Sequence, residues 1–473
     1  SGLAAACRAA SQGHEVTVLE KNQHVGGKIA EVKQDGFTWD GGPSFFTDPH
    51  ALELLYSECG KDMENYMEYL SIDEACRYLY QDKTVHGYDT VEKLAQELEQ
   101  KFQEPTENTQ QFFADISKIS LGSGSTFLNK PFSWRSILSL QSIRDVLRLP
   151  RKSVLTSSMH KMHTKYFSQA ETIAFFDRFA TYVGANPQQA PGLLMCTPYL
   201  EHVDGAYQPK GGMRSIIRGL EKLAQDLGVT IKTSQQVSSY QQDDGRITAV
   251  ICGDTVHSAD TIIHAGDVEQ AYRLLRPKEH AKHVAREHSL SAYVLYLGVK
   301  TSGQPTYLHN ILFSQAYEGE VQTLWHDASQ ITDPTIYINN TSYFEKSHAP
   351  KGYENWFVMV NLPAGFPSQN LPKIRAAMLK KLANHFGDAF EDRIVTEAAS
   401  LTPQFIQDTY NGYLGSIYGL AANSIQGAYL RPKNKDTQFE NLYYVGVTTH
   451  PGGGIPLALR SSKIVAKMIG YKQ

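Results

Sequence analysis

Glu20 and Gly2 have the types and spacing of a nucleotide site. Gly2 opens a run of small residues that includes Ala4, Ala5, Ala6 and Ala9, and Glu20 follows a short apolar strand at 16–19. In a dinucleotide-binding βαβ unit, G-x-G-x-x-G follows the first strand. An acidic side chain about 20 residues on then bonds a ribose 2′-OH. Gly2 fits the last glycine of that motif and Glu20 fits the acid. The first strand and the first two glycines are therefore expected before residue 1, and the pyrophosphate side of the site is expected to be disturbed in a chain that begins inside the motif. An ordinary α/β unit gives the same pattern. Gly41-Gly42-Pro43-Ser44 is a second candidate, because consecutive glycines admit a ligand that a Cβ would exclude; a plain turn is the alternative. The third is strand 442–447, glycines 452–454 and a helix from Leu457. A helix start of this kind offers free N–H groups and a positive dipole end to an anion or carbonyl. Pro456 suits its first turn.

The elements that must position these residues follow in order. Residues 29–40 alternate as a strand pair turning at Asp35-Gly36, and 48–60 read as a helix stopped by Gly60. Residues 90–183 are mostly helical. Lys210-Gly211-Gly212-Met213 opens a helix to about residue 227, followed by a meander turning at Asp244-Gly245 and an apolar strand at 261–264. Strand candidates at 293–299, 311–313, 335–339 and 356–362 predict a sheet of a second domain, which with the helices of 90–183 can wall a cavity.

Composition narrows the function classes. A chain of 473 residues with net charge −4 has a large core and no global attraction to nucleic acid. Five cysteines without a C-x-x-C pair fit buried thiols in a reducing compartment better than disulfides or a zinc site. No apolar run is long enough to cross a bilayer. The 26 tyrosines and 20 phenylalanines suit a core, and equally a long apolar ligand. Residues 130–165 carry Lys130, Arg135, Arg144, Arg148, Arg151, Lys152, Lys161 and Lys165 against the single acid Asp145, with apolar residues at Leu140, Ile143 and Leu147. A basic amphipathic helix of this kind lies in a membrane interface or on the protein's own surface.

Taken together, the blocks GHEVTVLEKNQHVGGKIAE, GFTWDGGPSFF, PKGGMRSI and NLYYVGVTTHPGGGIPLALRSSKIVAKMI resemble the bacterial phytoene-desaturase-type carotenoid desaturases. These are FAD enzymes of the amine-oxidase-like flavoprotein superfamily, and the resemblance spans essentially the whole chain. Within the family, segments 76–80, 176–182, 187–191 and 212–216 are most similar to the hydroxycarotenoid 3,4-desaturases of marine Bacteroidetes.

The resemblance implies an α/β fold with α+β insertions: a Rossmann-like FAD-binding domain and a discontinuous sheet-plus-helices substrate domain. Residues 1–88, 206–288 and 401–473 would bind FAD. Residues 89–205 would be a helical substrate and membrane-associated region, and 289–400 the substrate-domain sheet. Glu20, with Lys21 beside it, would hold the adenosine ribose. Ser1 and Gly2 would pass close to the pyrophosphate, and Gly27 and Lys28 would approach the pyrophosphate and flavin. Gly41, Gly42 and Pro43 would line the isoalloxazine, Val237 would meet the adenine, and Gly446 would sit near the pyrophosphate. Gly454, Ile455 and Pro456 would meet the flavin's pyrimidine edge. Arg144 and Asp145 match an Arg–Asp pair considered for acid–base work; a surface ion pair is the alternative.

The implied reaction removes a hydride and a proton from a C–C bond of an acyclic carotenoid, leaving a conjugated double bond. The implied partners are a long apolar carotenoid, a membrane surface through 130–165, and oxygen or a quinone as electron acceptor. No nucleic acid or metal is expected, and the implied location is cytoplasmic, peripheral on the inner membrane. Phytoene or diapophytoene desaturation is the alternative within the family. An amine oxidase or a prenyl-binding escort protein on the same fold lies further off.

Overall fold

The structure, a computed structural model, describes residues 1–120, 149–303 and 305–470. Its first layer is built from short parallel strand pairs with helices against them. Strand Thr17–Leu19 pairs in parallel with Thr230–Lys232, and Ile262–His264 with Leu442–Tyr444. Helix Gly2–Ala10 packs against helices Arg214–Asp226 and Ile455–Met468. The small residues make this closeness possible: a Cβ on Gly2 would stand 2.9 Å from Ala265 Cβ. Leu3, Cys7, Leu52, Leu55, Ile216 and Leu223 form the core beneath.

Both predicted hairpins are present. Glu31–Gln34 pairs with Phe37–Asp40 across Asp35-Gly36, whose φ values are 52° and 81°. Ser239–Asp243 and Arg246–Cys252 turn at Asp244-Gly245, and Thr255–Ser258 completes a three-stranded antiparallel sheet. Asp and Gly at positive φ are the usual chemistry of two-residue hairpin loops.

The second layer is a seven-stranded mixed sheet. Its order is Ile394–Leu401, Ser291–Lys300, Tyr353–Leu362, Ile336–Asn340, His309–Leu312, Glu74–Leu79, Thr84–Tyr88. Every neighbouring pair is antiparallel except His309–Leu312 with Glu74–Leu79, which is parallel. Ser291–Lys300 is buried along all but its last residue, which explains its unbroken apolar sequence. Helix Leu371–Phe386 covers part of the sheet through Ile374, Met378 and Leu382, which meet Trp356 and Val358. Tyr78 joins the sheet to a helical layer whose core holds Phe112, Phe175 and Phe176. That layer contains helices Val91–Phe102, Thr106–Ile119 and Ala170–Asp177.

The strands Glu74–Leu79 and Thr84–Tyr88 fall within 1–88, yet they extend this second sheet. Of the basic segment 130–165, residues 149–165 are described. They form a 3₁₀ turn at Lys152–Leu155 and a five-residue helix, Met159–His163, so this part is no continuous helix. The remainder lies outside the described residues.

Candidate functional site

A single cavity of 1990 Å³ runs from the parallel strand pairs to the face of the seven-stranded sheet. Ligand pockets commonly occupy about 300–1,000 Å³, so the space accommodates a dinucleotide and a second large molecule. At one end two helix N-termini converge. Ser1 and Gly2 begin one helix, and Gly454, Ile455 and Pro456 begin the other; all five line the cavity. Gly454 has φ +101°, which turns the chain into the helix and which glycine adopts without strain. Gly446, after strand Leu442–Tyr444, has φ +134° and faces Ser1, whose Oγ would be 3.5 Å from an added Cβ.

The other sequence-predicted residues gather around this end with different orientations. Glu20, Gly27, Lys28, Gly42, Pro43 and Val237 all line the cavity. Glu20 follows strand Thr17–Leu19, and its Oε1 accepts the Asn22 N–H at 2.9 Å, which fixes the carboxylate. Lys21 also lines the cavity, but its Nζ donates to the Asp408 carbonyl at 2.7 Å and to Asn411 Oδ1 at 3.0 Å. Lys28 Nζ donates to the Ile417 carbonyl at 2.5 Å. Burial lowers its pKa, and the Asp267 carboxylate opposes that shift. Gly41 stands behind the lining: its N–H donates to the Ala30 carbonyl at 2.8 Å, and its own carbonyl accepts from Tyr296 Oη at 3.0 Å. His450 is buried, donates its N–H to Pro432 and accepts from Asn434 Nδ2.

These residues fit FAD. Two positive helix ends face one concavity, an acid closes the adjoining strand, and at Gly27, which lines the cavity, an added Cβ would meet no protein atom within 4 Å.

Beyond the Gly42–Phe45 loop the wall becomes apolar and aromatic, with Tyr337, Phe357, Met359, Tyr317, Trp325 and Tyr199. Three polar groups interrupt it, none of them visible from the sequence motifs. Tyr337 Oη bridges Ser44 Oγ at 2.8 Å and His309 Nδ1 at 2.7 Å. Arg178 lies under the rings of Phe179, Tyr182 and Tyr78 at 4.7, 5.0 and 5.2 Å, and donates to the hydroxyls of Tyr78 and Tyr182. It makes no ion pair among the described residues. Glu320 accepts from the backbone and hydroxyl of Thr335, and burial pushes its carboxyl up to about 7. Ser44, Tyr337 and His309, and likewise Tyr78 and Arg178, come from segments remote in sequence, so no local pattern announces them; Arg178 among Phe175, Phe176 and Phe179 is the one available signal.

Away from the helix N-termini, Leu155 and Ile425 line the cavity while being 37 % and 57 % exposed. Lys152, Lys161 and Lys165 are exposed on the segment that carries Leu155. Arg144 and Asp145 lie outside the described residues. Among the described residues no helix is long and apolar enough to cross a membrane, and no His, Cys, Asp or Glu group has the arrangement of a metal site.

The flavin containing amine oxidoreductase family matches residues 1–469. A 1-hydroxycarotenoid 3,4-desaturase from Flavobacterium sp. is 36 % identical over 99 % of this chain and 97 % of that protein. A 4,4'-diapophytoene desaturase (4,4'-diaponeurosporene-forming) from Staphylococcus aureus is 29 % identical over 98 % and 95 %. Among solved structures, putrescine oxidase bound to putrescine superposes with a TM-score of 0.63 at 15 % identity, covering 99 % of this chain and 96 % of that one. The Rab GDI of Plasmodium falciparum superposes with 0.53 at 12 %, covering 100 % and 96 %. At such identities these two structures establish the fold alone. Matched over residues 1–469 by the family and along nearly its whole length by the desaturases, the chain belongs to the flavin containing amine oxidoreductase family, as an FAD-dependent oxidoreductase whose similar curated relatives include carotenoid desaturases.

Proposed function

We propose that the protein is an FAD-dependent carotenoid desaturase that introduces a C–C double bond into an acyclic carotenoid, acting as a 1-hydroxycarotenoid 3,4-desaturase. The observation that carries this reading is the long aromatic-lined cavity joined to the flavin end, in a chain similar along its length to desaturases of this kind. Bound FAD supplies the hydride acceptor. The protein's own residues supply placement and a dry environment. Ser1, Gly2, Glu20, Lys21, Gly27, Lys28, Gly41, Gly42, Pro43, Val237, Gly446, Gly454, Ile455 and Pro456 are the proposed cofactor-binding set. The N-terminus of helix Ile455–Met468 would stabilise negative charge on a reduced cofactor. Phe357, Met359 and Trp325 offer the polyene apolar surface and exclude water. Arg144 and Asp145 are carried as acid–base candidates on the family resemblance alone.

The proposed division into FAD-binding parts 1–88, 206–288 and 401–473 and substrate parts 89–205 and 289–400 is supported by the parallel pairing of 17–19 with 230–232 and of 262–264 with 442–444. A substrate dissolved in lipid has to enter from a bilayer. The exposed, cavity-lining Leu155 and Ile425, with the exposed Lys152, Lys161 and Lys165 on the segment that carries Leu155, support a peripheral position on the cytoplasmic face of the inner membrane. Oxygen or a membrane quinone would then reoxidise the cofactor.

The test is anaerobic incubation of the FAD-loaded protein with 1-hydroxylated and plain acyclic carotenoids in liposomes, read as a shift of the polyene absorbance. The expected result is conversion of the hydroxylated substrates. Conversion of the plain ones alone moves the assignment to diapophytoene or phytoene desaturation, and conversion of none removes it.

A further inference from the structure

The wall beside residues 42–45 carries a polar group for which a hydrocarbon ligand has no use. Asn339 Nδ2 lies 3.2 Å from His309 Nδ1 and 3.2 Å from the Leu308 carbonyl. An amide nitrogen only donates, so Nδ1 is an acceptor and the imidazole proton resides on Nε2. Burial holds the ring neutral, its pKa pushed down to about 3. Tyr337 Oη, 2.7 Å from Nδ1, therefore gives its proton to His309, and it accepts from Ser44 Oγ at 2.8 Å. One acceptor lone pair remains on Oη, on a residue that lines the cavity. Tyr337 can accept a hydrogen bond from a ligand and has none to give.

Its position gives this lone pair a meaning. Ser44 directly follows the Gly42-Pro43 turn at the flavin end, and Phe45 packs on His309 with the rings tilted by 30° and their centroids 4.3 Å apart. On the proposed reading the bond to be oxidised is C3–C4 and the substrate hydroxyl is on C1, two carbons from C3. Such a hydroxyl lies beside the reacting bond and hence beside the loop that faces the flavin, away from the far end of the cavity. We propose that Tyr337, held by Ser44 and His309, recognises the C1 hydroxyl of the substrate by accepting its hydrogen bond. This assignment rests on the 1-hydroxycarotenoid reading and adds to it the residue that reads the hydroxyl. A substrate lacking the hydroxyl leaves Oη facing hydrocarbon, and an unsatisfied buried acceptor is the penalty by which hydroxyl-binding sites discriminate.

Arg178 is the rival reader, since it too lines the cavity near Phe45, whose ring is 6.2 Å from that of Tyr182. The two make opposite demands. A guanidinium only donates, so it would bond a methyl ether oxygen as well as an alcohol. Tyr337 accepts, so it requires the alcohol proton.

The test uses FAD-loaded protein and acyclic carotenoids carrying a hydroxyl, a methoxy group or hydrogen at C1, presented in liposomes. Turnover is read as kcat/KM. Binding is read independently by quenching of tryptophan fluorescence, Trp325 lining the cavity. The wild type is expected to prefer the alcohol over both analogues. Tyr337→Phe is expected to reduce that preference about 5- to 10-fold, the worth of one net hydrogen bond. Arg178→Lys is expected to retain it. Each preference is a ratio within one preparation, so partial misfolding cancels. An unchanged ratio in Tyr337→Phe, or a methoxy analogue bound as well as the alcohol, overturns the proposal. Should the wild type turn over none of the three, the desaturase reading fails, and the binding ratios still decide for or against Tyr337.

Discussion

A Cβ placed on Gly42 would come within 2.1 Å of the carbonyl oxygen of Lys28. The loop bearing Pro43, Ser44 and Phe45 is thus laid directly on the backbone of the preceding turn, and Gly41 is similarly close to Ala30. The glycine pair is needed by the chain itself before any ligand arrives.

Gly42→Ala is expected to push this loop off the turn, because the obstructing atom is backbone and cannot rotate away. Overpacking of this kind costs about 1–3 kcal/mol. The measurement is flavin absorbance per mole of protein together with the unfolding midpoint; full flavin content at an unchanged midpoint contradicts the steric account.

Glu20→Gln is expected to weaken FAD binding about tenfold, since hydrogen bonds to charged groups contribute about 1.5–3 kcal/mol. Titration of the apoprotein with FAD, followed by quenching of flavin fluorescence, measures it. Asn22 keeps an acceptor in the glutamine, so the fold is expected to survive.

Asp40 sets a pH dependence. Burial raises its carboxyl to about 7, against the opposing hydrogen bond from the Met213 N–H at 2.8 Å, and Oδ2 has no partner among the described residues. The unfolded value is 3.8, so the folded form holds the proton more tightly. The stability that this proton contributes is present at low pH and is lost as pH rises through 7. Asp40→Asn keeps an acceptor for Met213 and removes the buried charge. The variant is expected to exceed the wild type at pH 8 by up to about 4 kcal/mol, the gap narrowing toward pH 4. Urea unfolding at several pH values checks the slope; a gap independent of pH rules out Asp40 as its source.

Lys152→Glu with Lys161→Glu and Lys165→Glu is expected to reduce co-sedimentation with anionic liposomes, each cation near such a surface contributing about 1 kcal/mol. Neutral liposomes serve as the control. Equal recovery of variant and wild type on anionic vesicles removes this segment from the membrane reading.

Both hairpins and the helix after the glycines at 452–454 were legible because their chemistry is local: Asp and Gly at positive φ, and a proline in a first helical turn. Strand Ser291–Lys300 was legible because burial on both faces makes it apolar throughout. Other features were not. Sequence shows which residue can approach a ligand, but not whether the chain already occupies that approach. Gly41 is turned to Ala30, Lys21 to Asp408 and Asn411, and Lys28 to Ile417. The Ser44–Tyr337–His309 group joins three distant segments whose residues are individually ordinary. The partner of strand Glu74–Leu79 was equally hidden, since strand propensity does not name a neighbour.

That last pairing governs how the molecule is made. Glu74–Leu79 is synthesised early but finds its parallel neighbour, His309–Leu312, only after much of the chain has emerged. Until then Glu74–Leu79 and Thr84–Tyr88 present an unpaired strand edge, the kind of surface that seeds misassembly. Closing so distant a contact also slows folding. Truncation of the chain before residue 309 is therefore expected to give aggregates, read by light scattering against the full chain.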